Sequence, residues 1–89
     1  MKSRATRRFR EMLSALPRYV QRQAVQAYKQ FAADPHHPGL RFKQVHTDPI
    51  TYSARVGIGY RAVGGLDVDT VVWYWIGTHA EYERLLKQL

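Results

Sequence analysis

From Val71 to Ile76 every position is apolar, and all six residues (Val71, Val72, Trp73, Tyr74, Trp75, Ile76) are β-branched or aromatic. Such a run predicts a strand covered on both faces and central in its sheet. Gly77 is expected to end it. Thr78 then opens a helix, because Glu81 three positions later completes a T-x-x-E capping box. Tyr82, Leu85, Leu86 and Leu89 follow at the spacing of one apolar helical stripe.

The first third carries the helical period instead. Lys2–Ala5 reads as a short strand and Thr6 as an N-cap. Phe9, Met12, Leu13 and Leu16 fall on one helical face, with Arg7, Arg8, Arg10 and Glu11 on the other. Pro17 separates this helix from a second, marked by Val20, Ala24, Ala27, Tyr28 and Phe31 and ended near Ala33 by Asp34-Pro35. Beyond it, strands are predicted at Leu40–Val45, Thr51–Val56, Tyr60–Val63 and Thr70–Ile76. Turns at His36–Gly39, His46–Pro49, Gly57–Gly59 and Gly64–Asp69 join them. In the second strand Tyr52, Ala54 and Val56 share one face, and Ser53 and Arg55 the other. The pattern predicts one domain over residues 1–89 with an α+β fold. Two N-terminal helices pack on a small twisted antiparallel sheet of three or four strands, and a short C-terminal helix closes the chain.

Charge changes the picture because it is uneven. Residues 1–30 hold eight Lys and Arg against Glu11 alone, while residues 31–89 hold six bases and six acids. A one-sided basic footprint points to nucleic acid or an acidic protein partner; a solvated helical face is the plainer explanation. The chain has no cysteine, which excludes disulfides and thiolate metal sites. His36 and His37 are adjacent and lack partners at metal-ligand spacing, so no metal or cofactor is expected. No apolar run approaches the roughly 20 residues that span a bilayer, and no apolar segment follows the basic start. A cytoplasmic protein with no membrane partner is the expectation.

The Gly57–Gly64 segment fails as a dinucleotide fingerprint, since its third glycine is misplaced and no helix follows. A triad of Ser53, His79 and Asp67 lacks a nucleophile elbow. What remains is Lys43, Arg55, Arg61, His79, Glu81 and Tyr82. Arg55 and Arg61 flank the Gly57–Gly59 turn and can project from one sheet face, with Lys43 beside them. His79 and Tyr82 lie three apart on the last helix. Guanidiniums stabilise charge on a scissile phosphate, an imidazole moves protons near neutral pH, and an aromatic stacks on a base. That set suits metal-free RNA cleavage. Duller roles stand beside each: Glu81 as a helix cap, Tyr82 as core, His79 as surface, and the arginines as solvated sheet residues.

Together these blocks resemble the RelE/ParE superfamily of bacterial type II toxin–antitoxin toxins. The residues that carry the likeness are Leu40-Arg41-Phe42-Lys43, Arg55-Val56-Gly57 with Tyr60-Arg61, and Trp75-Ile76-Gly77-Thr78-His79-Ala80-Glu81-Tyr82. The ending is nearest to HigB- and RelE-like members. The resemblance implies a toxin that cuts translated mRNA on the ribosome by attack of a ribose 2′-OH on the adjacent phosphate. It also implies a cognate acidic antitoxin that neutralises the basic surface, giving a toxin–antitoxin hetero-oligomer. By position, Arg55 and Arg61 match the two arginines of the R-V-G-x-x-Y-R block, and Lys43 matches a lysine near the cleft. His79 matches the residue handling the leaving group, and Tyr82 the C-terminal tyrosine. Glu81 and His79 compete as general base. Arg7, Arg8, Arg10, Arg18 and Arg22 are the expected contacts to ribosomal RNA. Two alternatives accompany this reading: a ParE-like inhibitor of DNA gyrase, and an inactive module that binds nucleic acid or antitoxin.

Overall fold

The computed structural model describes residues 1–89. In chain order the elements are β1 (Lys2–Ala5), α1 (Arg7–Ser14), α2 (Arg18–Ala33), a 3-10 turn (Pro38–Leu40), β2 (Lys43–Thr47), β3 (Ile50–Val56), β4 (Tyr60–Asp67), β5 (Thr70–Thr78) and α3 (His79–Leu86). One five-stranded sheet has the order β1-β5-β4-β3-β2. Strands β2 to β5 form the expected antiparallel meander, and β1 adds in parallel beside β5, making the sheet mixed. The α+β class therefore holds, with β5 inside the sheet between β1 and β4.

Helices α1 and α2 cover one face. Thr6 caps α1 by accepting from Phe9 N–H at 3.0 Å, and Pro17 stands at the cap position of α2. Their apolar stripes meet Tyr52, Ala54, Val56, Ala62, Val71, Trp73 and Ile76 of the sheet. Phe31 sits at the centre, edge-on to Phe42 at 5.1 Å and to Trp73 at 5.6 Å. Removing these side chains from water is the main force holding the helix layer to the sheet.

Several boundaries differ from the sequence expectation. Leu40 ends the 3-10 turn instead of starting a strand, and Arg41 adopts φ 46°, so β2 begins only at Lys43. Gly64 and Gly65 lie within β4, and the turn shrinks to Val68 and Asp69 between the paired Asp67 and Thr70. A Cβ on Gly64 would sit 2.9 Å from both the Trp73 ring and the Val71 side chain. The glycine is there so the indole can cross the strand, not to reverse the chain. Gly77 likewise continues β5 as far as Thr78; a Cβ there would meet the Trp75 ring at 2.7 Å.

The most consequential irregularity lies between Val63 and Gly64. Val63 pairs with Trp75 but Gly64 pairs with Trp73, leaving Tyr74 as the extra residue of a bulge. Two residues apart, the tryptophans should share a face. The bulge reverses that. Trp73 enters the core under the helices, while Trp75 turns to the opposite face with Val63 and Ser53.

Candidate active site

The sheet face away from α1 and α2 carries the candidate residues. Register places Lys43, Ser53, Val63 and Trp75 in one row across β2 to β5, and Arg55, Arg61 and Gly77 in the next. Helix α3 turns back over this face. Its N-terminus is fixed by the predicted capping box: Glu81 N–H donates to Thr78 Oγ1 at 3.2 Å, and Glu81 Oε1 accepts from Thr78 N–H at 2.8 Å. His79 N–H adds a bond to the Gly59 carbonyl at 3.0 Å, which ties the helix start to the β3–β4 turn.

Arg55 and Arg61 are direct register partners. Like charges placed opposite one another in a ladder are destabilising. No carboxylate pairs with either guanidinium. Arg55 donates Nε–H to the Gly57 carbonyl at 2.9 Å, within a turn where Gly57 has φ +60°. Arg61 lies over the Tyr82 ring, 5.6 Å from its centroid, within cation–π range. One terminal nitrogen of Arg61 is buried with no hydrogen-bond partner. The two arginines are paired in backbone register, while their guanidiniums have different neighbours, the Gly57 carbonyl for Arg55 and the Tyr82 ring for Arg61.

Tyr82 is buried, and its hydroxyl donates to the fully buried Ser53 Oγ at 2.9 Å. The phenol thus points into the molecule and the ring forms a floor for Arg61. His79 is half exposed, its ring centroid 5.9 Å from that of Tyr82. Its Nε2 stands 3.0 Å from Glu83 Oε1, one helical turn on. With Nε2 engaged, Nδ1 is the nitrogen left to exchange protons with a ligand. Glu81 is exposed, and its carboxyl is held below the ordinary 4.5, first by the Thr78 backbone bond, then by the Thr78 hydroxyl, with Arg84 assisting. An acidified carboxylate is a weaker base.

Thus Arg55, Arg61, His79, Tyr82, Glu81 and Lys43 all belong to the α3 side of the sheet. The basic residues expected to contact ribosomal RNA from the helices do not. Arg7, Arg8, Arg10, Arg18 and Arg22 stand on α1 and α2, over the other face, and all are exposed. Arg7 is paired with Glu11 at 3.0 Å, and Arg10 donates to the Ala5 carbonyl at 2.9 Å. Arg18, Arg22 and Lys29 line a polar groove with Gln21 and Gln26. His37 accepts from Gly39 N–H at 3.0 Å in its own loop. No three His, Cys, Asp or Glu side chains converge to hold a metal ion.

Sequence reasoning missed Ser53 as the partner of Tyr82 and Glu83 as the partner of His79. The second was open to discovery, since positions 79 and 83 are an i, i+4 pair. The first was not, because it spans 29 residues and needs the strand register.

Comparison with known proteins agrees with this architecture. Residues 18–84 match the model of the ParE-like toxin domain. The chain belongs to that family, within the RelE/ParE superfamily of toxin–antitoxin toxins. Its fold is also similar to a chain in the crystal structure of the toxin–antitoxin complex RelBE2 from Mycobacterium tuberculosis, with TM-score 0.57 and 26% identity, covering 88% of this chain and 96% of that one. A search of curated proteins found no match. No helix is long and apolar enough to cross a membrane.

Proposed function

We propose that this toxin is a ribosome-dependent, metal-independent mRNA endonuclease acting in the bacterial cytoplasm. The observation that carries the reading is the Arg55–Arg61 pair. A ladder that sets two cations opposite each other, with no carboxylate on either, lowers stability unless an anion offsets their charge. A phosphodiester is such an anion.

In the reaction, the ribose 2′-oxygen attacks the adjacent phosphorus and the bond to the 5′-oxygen breaks. The products are a 2′,3′-cyclic phosphate and a 5′-hydroxyl. Arg55 and Arg61 face the charge that builds on the non-bridging oxygens, where fixed donors matter most. His79, steadied by Glu83, gives a proton from Nδ1 to the departing 5′-oxygen, while the 2′-hydroxyl proton passes to solvent. Tyr82 positions Arg61, and Glu81 positions His79 through the helix cap. Lys43, one register pair along from Arg55, meets a neighbouring phosphate. Arg7, Arg8, Arg10, Arg18 and Arg22 dock the helix layer on ribosomal RNA.

The partner read for this chain is an acidic antitoxin, as the complex of its similar structure supports. An apolar cleft of about 300 Å3 between the helices and the sheet, lined by Phe9, Leu13, Tyr28, Phe31 and Trp73 among others, offers that partner a place to bury a side of its own. The matching family's ParE-like description favours a second reading, inhibition of DNA gyrase, which needs neither His79 nor the arginine pair to meet RNA.

Induced expression in a bacterium tests the site. Arg55→Ala and His79→Ala chains that are folded by circular dichroism are expected to lose growth inhibition. Full toxicity in both would remove the proposed machinery.

A further inference from the structure

We propose that a hollow beside Arg55 is a base-reading subsite for single-stranded RNA, an inference that rests on the endonuclease reading. Strand β2 pairs with β3 only as far as Ser53. Past that point the β3 edge is free of a strand, and a hollow of about 370 Å3 opens between it and α2. Gln23, Gln26 and Gln30 line its helix side, and Arg55, Gly57 and Ile58 line the other.

The three glutamines recur at i, i+3 and i+7, so they form one stripe of α2. Gln21 and Gln44 donate their amides to backbone carbonyls, whereas those of Gln23, Gln26 and Gln30, like that of Gln88, make no hydrogen bond within the chain. Gly57 keeps the hollow open on its far side, since a Cβ there would collide with the Gln23 amide. Ile58, 88% exposed at the tip of the β3–β4 turn, has no packing role and presents an apolar surface to the same space.

These features favour a base over a phosphate. An amide offers a donor beside an acceptor, the pattern that pairs bidentately with the edge of an unpaired base, whereas phosphates are taken by cations. The hollow holds one cation, Arg55, at the point where the scissile phosphate is proposed to sit. Ile58 supplies the apolar contact that a base plane requires. Gln26 also belongs to the groove of Arg18, Arg22 and Lys29, so a strand leaving Arg55 crosses the amides before it reaches the arginines of α2. Gln26 thus joins the hollow of Arg55 to the basic groove on α2.

The test is binding of 2′-O-methyl trinucleotides, which cannot be cleaved, to the full chain by fluorescence anisotropy. Trinucleotides carrying bases are expected to bind about tenfold more tightly than abasic ones of the same length, about the worth of one good bidentate pair. The doubly substituted Gln26→Ala, Gln30→Ala chain is expected to bring that ratio close to one by weakening the base-bearing trinucleotides. Equal binding of base-bearing and abasic trinucleotides by the wild type, no binding at all, or an undiminished ratio in the substituted chain would overturn the subsite. Ribosome-dependent cutting of mRNA is scored separately: cutting that persists with no base discrimination removes the subsite and leaves the endonuclease.

Discussion

Tyr82 Oη donates to Ser53 Oγ at 2.9 Å, joining α3 to β3 across 29 residues of sequence. Both side chains are buried, so the bond sets the height of the Tyr82 ring, and hence of the Arg61 guanidinium above it. Tyr82→Phe keeps the ring and leaves Ser53 unpaired. The expected cost is about 1 kcal/mol in urea unfolding, with the RNA-cutting rate within a few-fold of wild type. A far larger fall in rate would make the phenol a proton-transfer group. Tyr82→Ala removes the floor as well and is expected to cost about 3–5 kcal/mol.

Arg61 couples activity against stability. Its buried nitrogen lacks a partner, and Arg55 stands opposite. Arg61→Leu is therefore expected to raise stability by about 1 kcal/mol, because an unsatisfied buried donor and a like-charge pair both disappear. Toxicity should vanish in the same variant. Thermal unfolding and growth inhibition, measured together, check both halves.

Glu81 gives a pH dependence whose sign is fixed. Its carboxyl is held below the ordinary 4.5 by the Thr78 backbone and hydroxyl bonds, with Arg84 beside it. A depressed folded pKa means the stabilisation is fully present above 4.5 and is lost as pH falls through the lower folded value. Glu81→Gln keeps an acceptor in the cap but loses the charge at the helix N-terminus. The variant is expected to be about 0.3–1 kcal/mol less stable at pH 7, the smaller end reflecting its exposure to solvent. The difference should close as the solution is acidified, and urea unfolding at several pH values reports it.

Gly77 is a packing glycine. The Trp75 ring lies 2.7 Å and Glu81 Oε1 3.0 Å from where its Cβ would be. Gly77→Ala must displace the indole or loosen the cap, at a cost of about 1–3 kcal/mol. A neutral effect in thermal unfolding would mean that Trp75 moves freely.

That glycine also shows where sequence reading stops. Local signals were legible: the stripe Phe9, Met12, Leu13, Leu16, the Thr78–Glu81 box, and the alternation that sends Arg55 away from Ala54 and Val56. Each depends on neighbours within one turn or one strand. Gly64 and Gly77 carry turn chemistry in isolation, yet they occupy strands where the Trp73 and Trp75 rings need room, a fact of tertiary packing. The Tyr74 bulge leaves no compositional mark, and only register reveals that it separates the two tryptophans. Lys2–Ala5 was readable as a strand but not as a parallel one. For the candidate site, the sequence singles out residues but not how the fold divides them. The sequence does not say that Arg7 to Arg22 lie behind the sheet that Arg61 and His79 front, with Arg55 at its edge.

The central claim is cleavage of RNA by that arginine-bearing face. Its most direct test is incubation of the purified toxin with a defined mRNA on programmed ribosomes in EDTA, reading both cut positions and end groups. The account predicts ribosome-dependent cuts with 2′,3′-cyclic phosphate and 5′-hydroxyl ends, absent with Arg61→Leu. Intact mRNA, in a sample that blocks supercoiling by DNA gyrase, would contradict it.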